Sequence, residues 1–304
     1  MAVRRWFKGN LHTHTNRSDG DSDPEVVARW YARHGYDFLV LSDHNHLTIL
    51  ETPQDRRRHW PLLIPGEEVT LMADGKPVHI NGIGVVRLVE PVLANNVVEA
   101  IQANVNAIVA AGGLAQINHP NYQWAFDHRA INQVRGATFM EVFNAHHKGN
   151  SRGGGGHPST EEQWDHVLSA GIPIYGTATD DTHHLKGEFS PDRANPGRAW
   201  VCVEAEECSQ EAILDAMAQG RFYASTGVVL EDVEMGRDGV AVRIASQPDY
   251  LRYTTRVIGK GGRILVTSYD TLVAYDPKGD EGYVRMTVTA SNGAQAWTQP
   301  VFLK

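Results

Sequence analysis

Residues 24–45, PEVVARWYARHGYDFLVLSDHN, place a helix pattern directly before a strand pattern. Proline stands in the first turn, and apolar residues recur at helical spacing as far as His34. The run that follows, DFLVLSDHN, has an apolar and β-branched centre that is typical of a buried strand, and it ends in polar residues. The stretch therefore predicts one α/β unit whose strand carries polar side chains at its carboxyl end.

The same alternation of helix and strand patterns continues to about residue 225. The clearest helix follows Asn96, a preferred cap residue, and stops at a Gly-Gly pair. Another helix opens with a capping box between Ser159 and Glu162. Repeated α/β units predict an α/β fold with a mainly parallel sheet, either open or closed into a barrel. Further strand patterns cover residues 114–120, 138–144, 172–181 and 198–206.

The sequence pattern changes near Gly227. From there, apolar and polar residues alternate around turn signals such as Asp238-Gly239, which is typical of β-hairpins. We therefore expect two domains: an α/β domain over residues 1–226 and a small antiparallel β domain over residues 227–304.

The composition excludes several classes of function. Of the 304 residues, 41% are hydrophobic and 21% are charged, as in globular proteins. Lysine and arginine total 28 against 36 acidic residues, and this net charge of −8 argues against binding to a nucleic-acid duplex. The chain has no signal-peptide pattern and no apolar run long enough to span a membrane. We expect a cytoplasmic protein that acts on a small molecule.

Histidine and carboxylate side chains recur where the predicted strands end. In LHTHT, His12 and His14 are two residues apart, so on a strand they would face the same side. In a parallel α/β barrel, the carboxyl ends of the strands form the active-site face. Nitrogen and oxygen ligands without thiolates suit Zn, Mn or Fe, so we expect a site for divalent metal ions there. The other candidates are Asp43, His44, Glu67, Glu68, His79, His119, Asp180, Asp181, His183 and His184.

The order of these motifs resembles the PHP (polymerase and histidinol phosphatase) family. The chain has HTH, then Asp19, SDHN, GEE, a downstream histidine, NHP and finally DDTH, in family order from residue 12 to residue 183. Members of that family fold as a distorted seven-stranded (β/α) barrel with a trinuclear metal centre. The resemblance therefore implies such a barrel here, followed by the C-terminal antiparallel β domain.

The resemblance also implies nine ligands, which are at the same time the expected catalytic residues. The first metal ion would be held by His12, His14, Glu68 and Asp181. Glu68 would bridge to a second ion, which would also be held by His79 and His119. The third ion would be held by Asp19, His44 and His183. The family spacing favours Glu68 over Glu67, and it favours Asp181 and His183 over Asp180 and His184.

Several polar residues near the expected mouth of the site are candidates for holding substrate. We name Arg198, Asn144 and Lys186, and Arg198 is the cation that we would test first. Asn144 ends the strand TFMEVFN, where it would lie close to the metals or cap a turn. Lys148, Arg152 and Arg193 are weaker candidates, and His46, His146, His147 and His184 could donate hydrogen bonds that orient ligand imidazoles.

The implied reaction is the hydrolysis of a small phosphomonoester or nucleotide phosphodiester. Clustered divalent ions lower the pKa of bound water and stabilise both the attacking and the leaving oxygen of an in-line displacement. A hydroxide bridging two ions would be the nucleophile, and the third ion would hold a substrate oxygen.

Two other functions stay open. Relatives that hydrolyse carbamates or aryl esters are similar in HxHTxxSDG…SDHN and in RFYASTG, and they need an apolar slot to which Trp124 and Phe126 could contribute. A phosphate ester instead needs convergent positive charge, for which Arg198 and Lys186 are candidates. A non-catalytic metal-binding module is the third reading, although the complete ligand set argues against it. The glycine-rich run SRGGGG is a candidate lid.

Overall fold

The computed structural model describes residues 4–50, 60–245 and 250–303. Capping fixes two of the helices as expected, because Asn96 accepts a hydrogen bond from Glu99 N and Ser159 forms the capping box with Glu162. None of the helices in these ranges is long and apolar enough to cross a membrane. The α-helices are α1 (Pro24–Arg33), α2 (Val97–Ala110), α3 (His128–Ile131), α4 (Thr160–Ser169) and α5 (Gln210–Ala218).

Nine strands precede the expected change in pattern at Gly227 within the described residues. These strands are β1 (Arg5–Asn10), β2 (Phe38–Leu41), β3 (Leu62–Ala73), β4 (Lys76–Ile83), β5 (Leu114–Ile117), β6 (Phe139–Asn144), β7 (Tyr175–Thr179), β8 (Trp200–Ala205) and β9 (Phe222–Ser225). The strands after it are β10 (Leu230–Met235), β11 (Val240–Ile244), β12 (Tyr253–Gly259), β13 (Arg263–Ser268), β14 (Leu272–Tyr275), β15 (Tyr283–Ala290), β16 (Gln295–Thr298) and β17 (Val301–Phe302).

One large sheet organises the molecule, in the order β13-β12-β15-β16-β9-β8-β1-β2-β3-β4-β5-β6-β7. Parallel pairing joins β1, β2 and β3, and again β5, β6 and β7. Between these two groups, β4 runs antiparallel to both of its neighbours. The expected α/β fold with a sheet rich in parallel pairs is confirmed. The exceptions before Gly227 are β4, then β8, which pairs antiparallel with β1, and β9, which pairs antiparallel with β8.

The strand pairing does not form a closed barrel in the described part of the chain. The path ends at β7, and the segments that follow β1 and β7 meet at a single bridge between Thr13 and Thr182. Two backbone hydrogen bonds accompany it: His14 N donates to Thr182 O at 2.8 Å, and Asp181 N donates to His12 O at 3.0 Å. This contact brings the carboxyl ends of β1 and β7 together where the candidate ligands lie.

The C-terminal region is antiparallel, as expected. β10 and β11 form a hairpin that pairs with β14 in a three-stranded sheet, while β12, β13, β15 and β16 extend the large sheet. Buried apolar residues such as Val242, Val257 and Met286 form the core of this region. Because β9 pairs with β16, the hydrogen-bonded sheet continues across residue 226, and the division into two domains stays a prediction.

A buried ion pair connects this region to α4. Arg285 has no exposed side-chain surface, and its Nη2 and Nε donate to the two carboxylate oxygens of Asp165 at 2.7 and 2.8 Å. The hydroxyl of Tyr283 donates to the same carboxylate at 2.6 Å. Both carboxylate oxygens of Asp165 therefore accept hydrogen bonds from residues more than a hundred positions away in sequence.

Candidate metal centre

The centre is built around the segment that follows β1. His12 and His14 are fully buried, and their Nε2 atoms lie 3.2 Å apart. The bridge to Thr182 fixes this backbone, so both rings face the same point, as the strand-end spacing predicts.

Glu68 lies in the middle of β3 and contacts five of the candidate histidines, and the shortest of these contacts joins its Oε2 to His44 Nδ1 at 2.9 Å. Its Oε1 is 3.3 Å from His12 Nε2, and its Oε2 is 3.4 Å from His14 Nε2. The same Oε1 is 3.2 Å from His79 Nδ1 and 3.3 Å from His119 Nε2. Its neighbour Glu67 is buried on the opposite face of the strand, where Oε1 accepts a hydrogen bond from Val89 N at 2.7 Å.

Asp181 closes the inner part of the cluster. Its Oδ1 lies 3.2 Å from His14 Nε2 and 3.3 Å from His12 Nε2. The backbone of Asp181 has a φ of 49°, in the left-handed region that most side chains avoid. The preceding residue, Asp180, is fully buried and accepts hydrogen bonds from Asn10 Nδ2, from Tyr31 OH and from three backbone N–H groups of residues 197–199. These bonds anchor the turn that carries Asp181.

Asp19, His44 and His183 form the outer part of the cluster. Asp19 Oδ1 is 3.3 Å from His183 Nε2, and Asp19 Oδ2 is 3.5 Å from His44 Nε2. Asp43 holds the turn before Asp19, since its carboxylate accepts hydrogen bonds from Thr15 N at 2.7 Å and from the Ser18 hydroxyl at 2.8 Å. The structure thus brings all nine expected ligands into four overlapping groups that could hold a metal ion.

The donor set fits divalent metal ions. Ligand atoms bound to Zn at about 2.1 Å in a tetrahedron are about 3.4 Å from one another. The separations of 3.2 to 3.4 Å around Glu68 and Asp181 match that value. In addition, Asp181 Oδ1 and His79 Nδ1 are buried and form no hydrogen bond with the described residues, so both are available as ligands.

The charges of the cluster depend strongly on one another. Burial lowers the pKa of His12, but Asp181 and Glu68 together raise it well above its usual range. Burial likewise opposes the charged form of Glu68, yet the surrounding histidines hold its pKa well below the usual range. Burial together with His183 lowers the pKa of His14 to about 4. For His44, Glu68 and Asp19 outweigh burial and raise the pKa to about 10.

The sequence did not single out Glu141, although it contacts two of the expected ligands, His12 and His119. It is fully buried in β6, where its Oε1 lies 2.7 Å from His12 Nδ1. Its Oε2 accepts hydrogen bonds from His119 N at 2.7 Å and from Asn144 Nδ2 at 2.9 Å. A carboxylate on the second ring nitrogen fixes the orientation of a ligand histidine. The feature of the sequence that could have identified Glu141 is its position as a lone acidic residue inside the apolar strand TFMEVFN.

A cavity of about 310 Å³ opens above the cluster. Within the described residues, no aliphatic, phenylalanine or tryptophan side chain lines it. Besides seven of the nine expected ligands, its lining consists of Tyr122, His146, His147, Lys148 and His184.

None of the three expected substrate-binding residues is part of the cavity lining. Asn144 is buried beneath it, and its Nδ2 donates to Asp181 Oδ2 at 3.1 Å. The guanidinium of Arg198 donates to the carbonyl oxygens of Ser190 at 2.5 Å and Arg193 at 2.8 Å, outside the lining. Lys186 is exposed and also outside the lining. A substrate contact for these three residues stays a prediction.

The two aromatic residues proposed for an apolar slot lie elsewhere. Trp124 stacks on His157 with ring centroids 4.3 Å apart, and Phe126 packs against the main hydrophobic core. In the glycine-rich run, Arg152 Nη1 donates to Gln295 Oε1 at 3.4 Å. The lid role of that run remains a prediction.

No protein-family model and no curated protein matches this sequence. Among solved structures, an amidohydrolase from Chromobacterium violaceum is 16% identical over 62% of this chain and 93% of its own, with a TM-score of 0.40. A lesion-specific endonuclease from Pyrococcus furiosus is 14% identical over 71% of this chain and 56% of its own, with a TM-score of 0.43.

The match with a two-domain protein from Bacteroides vulgatus, which contains a predicted PHP-like metal-dependent phosphoesterase, spans both chains more fully. It covers 99% of this chain and 88% of the other, at 18% identity and a TM-score of 0.53. The chain therefore has the mixed α/β fold of this PHP-like protein, including a C-terminal antiparallel β region.

Proposed function

We propose that the protein is a metal-dependent phosphoesterase that hydrolyses a small phosphate ester. The lining of the cavity above the ligand cluster is the observation that carries this proposal. Lys148 offers positive charge and the imidazoles beside it offer N–H donors, and both suit a phosphate group. A volume of about 310 Å³ suits a small molecule and lies at the lower end of ligand pockets.

The nine clustered histidine, aspartate and glutamate residues would hold two or three ions of Zn, Mn or Fe. Bound divalent ions would supply Lewis-acid chemistry, acidifying water and offsetting negative charge on phosphate oxygens. Because Glu68 lies between the inner histidines and the outer ones, it is the residue best placed to contact more than one ion.

The chain's own residues would orient the reacting groups. Glu141 holds the His12 ring through Nδ1, which leaves Nε2 directed at the cluster. Asn144 holds Asp181 through Oδ2, while Oδ1 accepts no hydrogen bond from any residue that the structure describes. Lys148, at the cavity, would attract the substrate phosphate and offset its charge. Preorganised donors of this kind stabilise charge that develops during the reaction.

The alternative of a carbamate or aryl ester hydrolase has less support. Such substrates need an apolar slot, and the residues expected to form it, Trp124 and Phe126, contact His157 and the core instead. We therefore favour phosphate over carbamate and carboxyl esters.

A substrate comparison tests the proposal. The purified protein, loaded with Mn or Zn, is assayed with p-nitrophenyl phosphate, bis(p-nitrophenyl) phosphate, p-nitrophenyl acetate and a naphthyl carbamate. We expect hydrolysis of at least one of the two phosphate esters. Turnover of only the acetate or the carbamate would contradict the proposal and support the alternative.

A further inference from the structure

His146 lines the cavity but does not belong to the nine clustered ligands. It lies on the loop that follows β6, two residues after Asn144. Its backbone N–H donates to Asn144 Oδ1 at 2.8 Å, so the same side chain contacts both Asp181 and this loop. The position of His146 is therefore tied to the ligand cluster through one asparagine.

The hydrogen bonds of the loop fix the protonation of the His146 ring. The backbone N–H of Lys148 donates to His146 Nδ1 at 3.1 Å. A ring nitrogen that accepts a hydrogen bond carries no proton, so the proton of the neutral ring lies on Nε2. In the described part of the chain, Nε2 has no hydrogen-bond partner and is not buried. The ring thus offers one N–H donor at the cavity.

Neighbouring rings hold this donor in place. His146 stacks on His147, with centroids 4.4 Å apart and an interplanar angle of 23°. Its edge-to-face contacts are with the outer ligand His183 at 5.2 Å and with Tyr122 at 6.5 Å. A donor that is positioned before substrate arrives does not need to reorganise as charge develops.

We infer that His146 is a substrate-binding residue whose Nε2–H donates a hydrogen bond to an oxygen of the group that is attacked. This inference rests on the proposed function, under which that oxygen belongs to the phosphoryl group. The ring keeps its proton throughout, because loss of Nε2–H from a neutral imidazole would leave an anion. The hydrogen bond strengthens as negative charge builds on that oxygen, so it lowers the barrier without proton transfer.

The test uses the full-length, metal-loaded protein and three variants. His146→Ala removes the donor, and His146→Gln keeps an N–H at a similar distance from the backbone. His166→Ala is the matched control, because it removes one ring of a stacked pair with His128, whose centroids are 4.2 Å apart, away from the cavity. Metal content, kcat, KM and the affinity for inorganic phosphate by calorimetry are measured for each protein.

We expect His146→Ala to keep its metal and to lose about 100-fold in kcat/KM, mostly through kcat. Its affinity for inorganic phosphate should fall about tenfold, His146→Gln should recover part of both losses, and His166→Ala should match the wild type. Equal turnover and equal phosphate affinity for His146→Ala and the wild type would overturn the inference.

Failure of the proposed function has a different signature, namely wild-type turnover of carboxyl esters or carbamates only. In that case the same variants are compared on the ester that is hydrolysed. A loss with His146→Ala and partial rescue with His146→Gln would still support the donor role, whereas equal rates would overturn it.

Discussion

Glu141 Oε1 lies 2.7 Å from His12 Nδ1, on the far side of the ring from the Nε2 atom that faces the candidate metal centre. These two residues are 129 positions apart in sequence and both are fully buried. The contact leaves Nε2 as the ring nitrogen of His12 that could bind metal, so we expect Glu141 to support metal affinity although it is not one of the expected ligands.

Replacing Glu141 with glutamine should weaken metal binding by about 10- to 100-fold while the fold persists. The amide is a weaker acceptor and no longer offsets positive charge beside His12 and His119. Competition with a chelator of known affinity measures the loss. Glu211→Gln, on the exposed surface of α5, is the control and should bind metal like the wild type. Unchanged affinity in Glu141→Gln would mean that the carboxylate does not support the ligand.

Replacing Asp180 with asparagine should release the turn that holds Asp181. The NH2 group of the asparagine would face hydrogen-bond donors. These include Gly197 N and Ala199 N, which now donate to the Asp180 carboxylate at 2.8 and 2.9 Å. We expect a loss of about 1–3 kcal/mol in the free energy of unfolding, together with weaker metal binding. Denaturant titration of the metal-free protein separates the two effects. Wild-type stability and metal affinity in this variant would contradict the anchoring role.

The ion pair between Arg285 and Asp165 should matter for stability rather than for chemistry. Arg285→Ala would leave a buried carboxylate without its cation, and we expect a loss of about 3–5 kcal/mol. Tyr283→Phe removes only one hydrogen bond to the same carboxylate and should cost about 1 kcal/mol. Urea unfolding of the two variants measures the difference. Equal stability of Arg285→Ala and the wild type would show that the pair contributes nothing.

Metal affinity should fall as the pH is lowered from 8 to 6. Six imidazoles must be free of protons at their ligating nitrogens before they can bind metal. In the metal-free protein, Glu68 and Asp19 outweigh burial and raise the pKa of His44 to about 10, so this ring holds a proton at neutral pH. Metal binding should therefore release protons, which calorimetry in two buffers of different ionisation enthalpy detects. Equal observed heats in the two buffers would mean that no protons are released and would contradict this linkage.

The strand-end positions and the resemblance in motif order predicted which side chains cluster, but they did not predict the residues that hold those side chains in place. His12, His14 and Asp181 lie at the ends of β1 and β7, where parallel strands deliver side chains to one edge. Glu141 lies inside a strand, and its partners come from distant segments, so no local pattern identifies them.

The environment of Arg198 and the direction of β4 were also not predicted, the first because it depends on tertiary contacts and the second because a turn signal was overlooked. The guanidinium of Arg198 is bound by the carbonyl groups of residues 190–195, and a cation's partners cannot be read from its own position. The antiparallel β4 follows a two-residue turn at Asp74-Gly75, where both residues have positive φ. That dipeptide is a strong hairpin signal and could have predicted the reversal of direction.

Hydrolysis of p-nitrophenyl phosphate and bis(p-nitrophenyl) phosphate by the wild type, and of the better of these two esters by two ligand variants, tests the central claim most directly. We expect turnover that a chelator abolishes and that added Mn or Zn restores. Asp181→Asn and His14→Ala should lose both activity and bound metal while circular dichroism shows an intact fold. Full activity in either variant, or turnover that survives complete removal of metal, would contradict a metal-dependent phosphoesterase at this site.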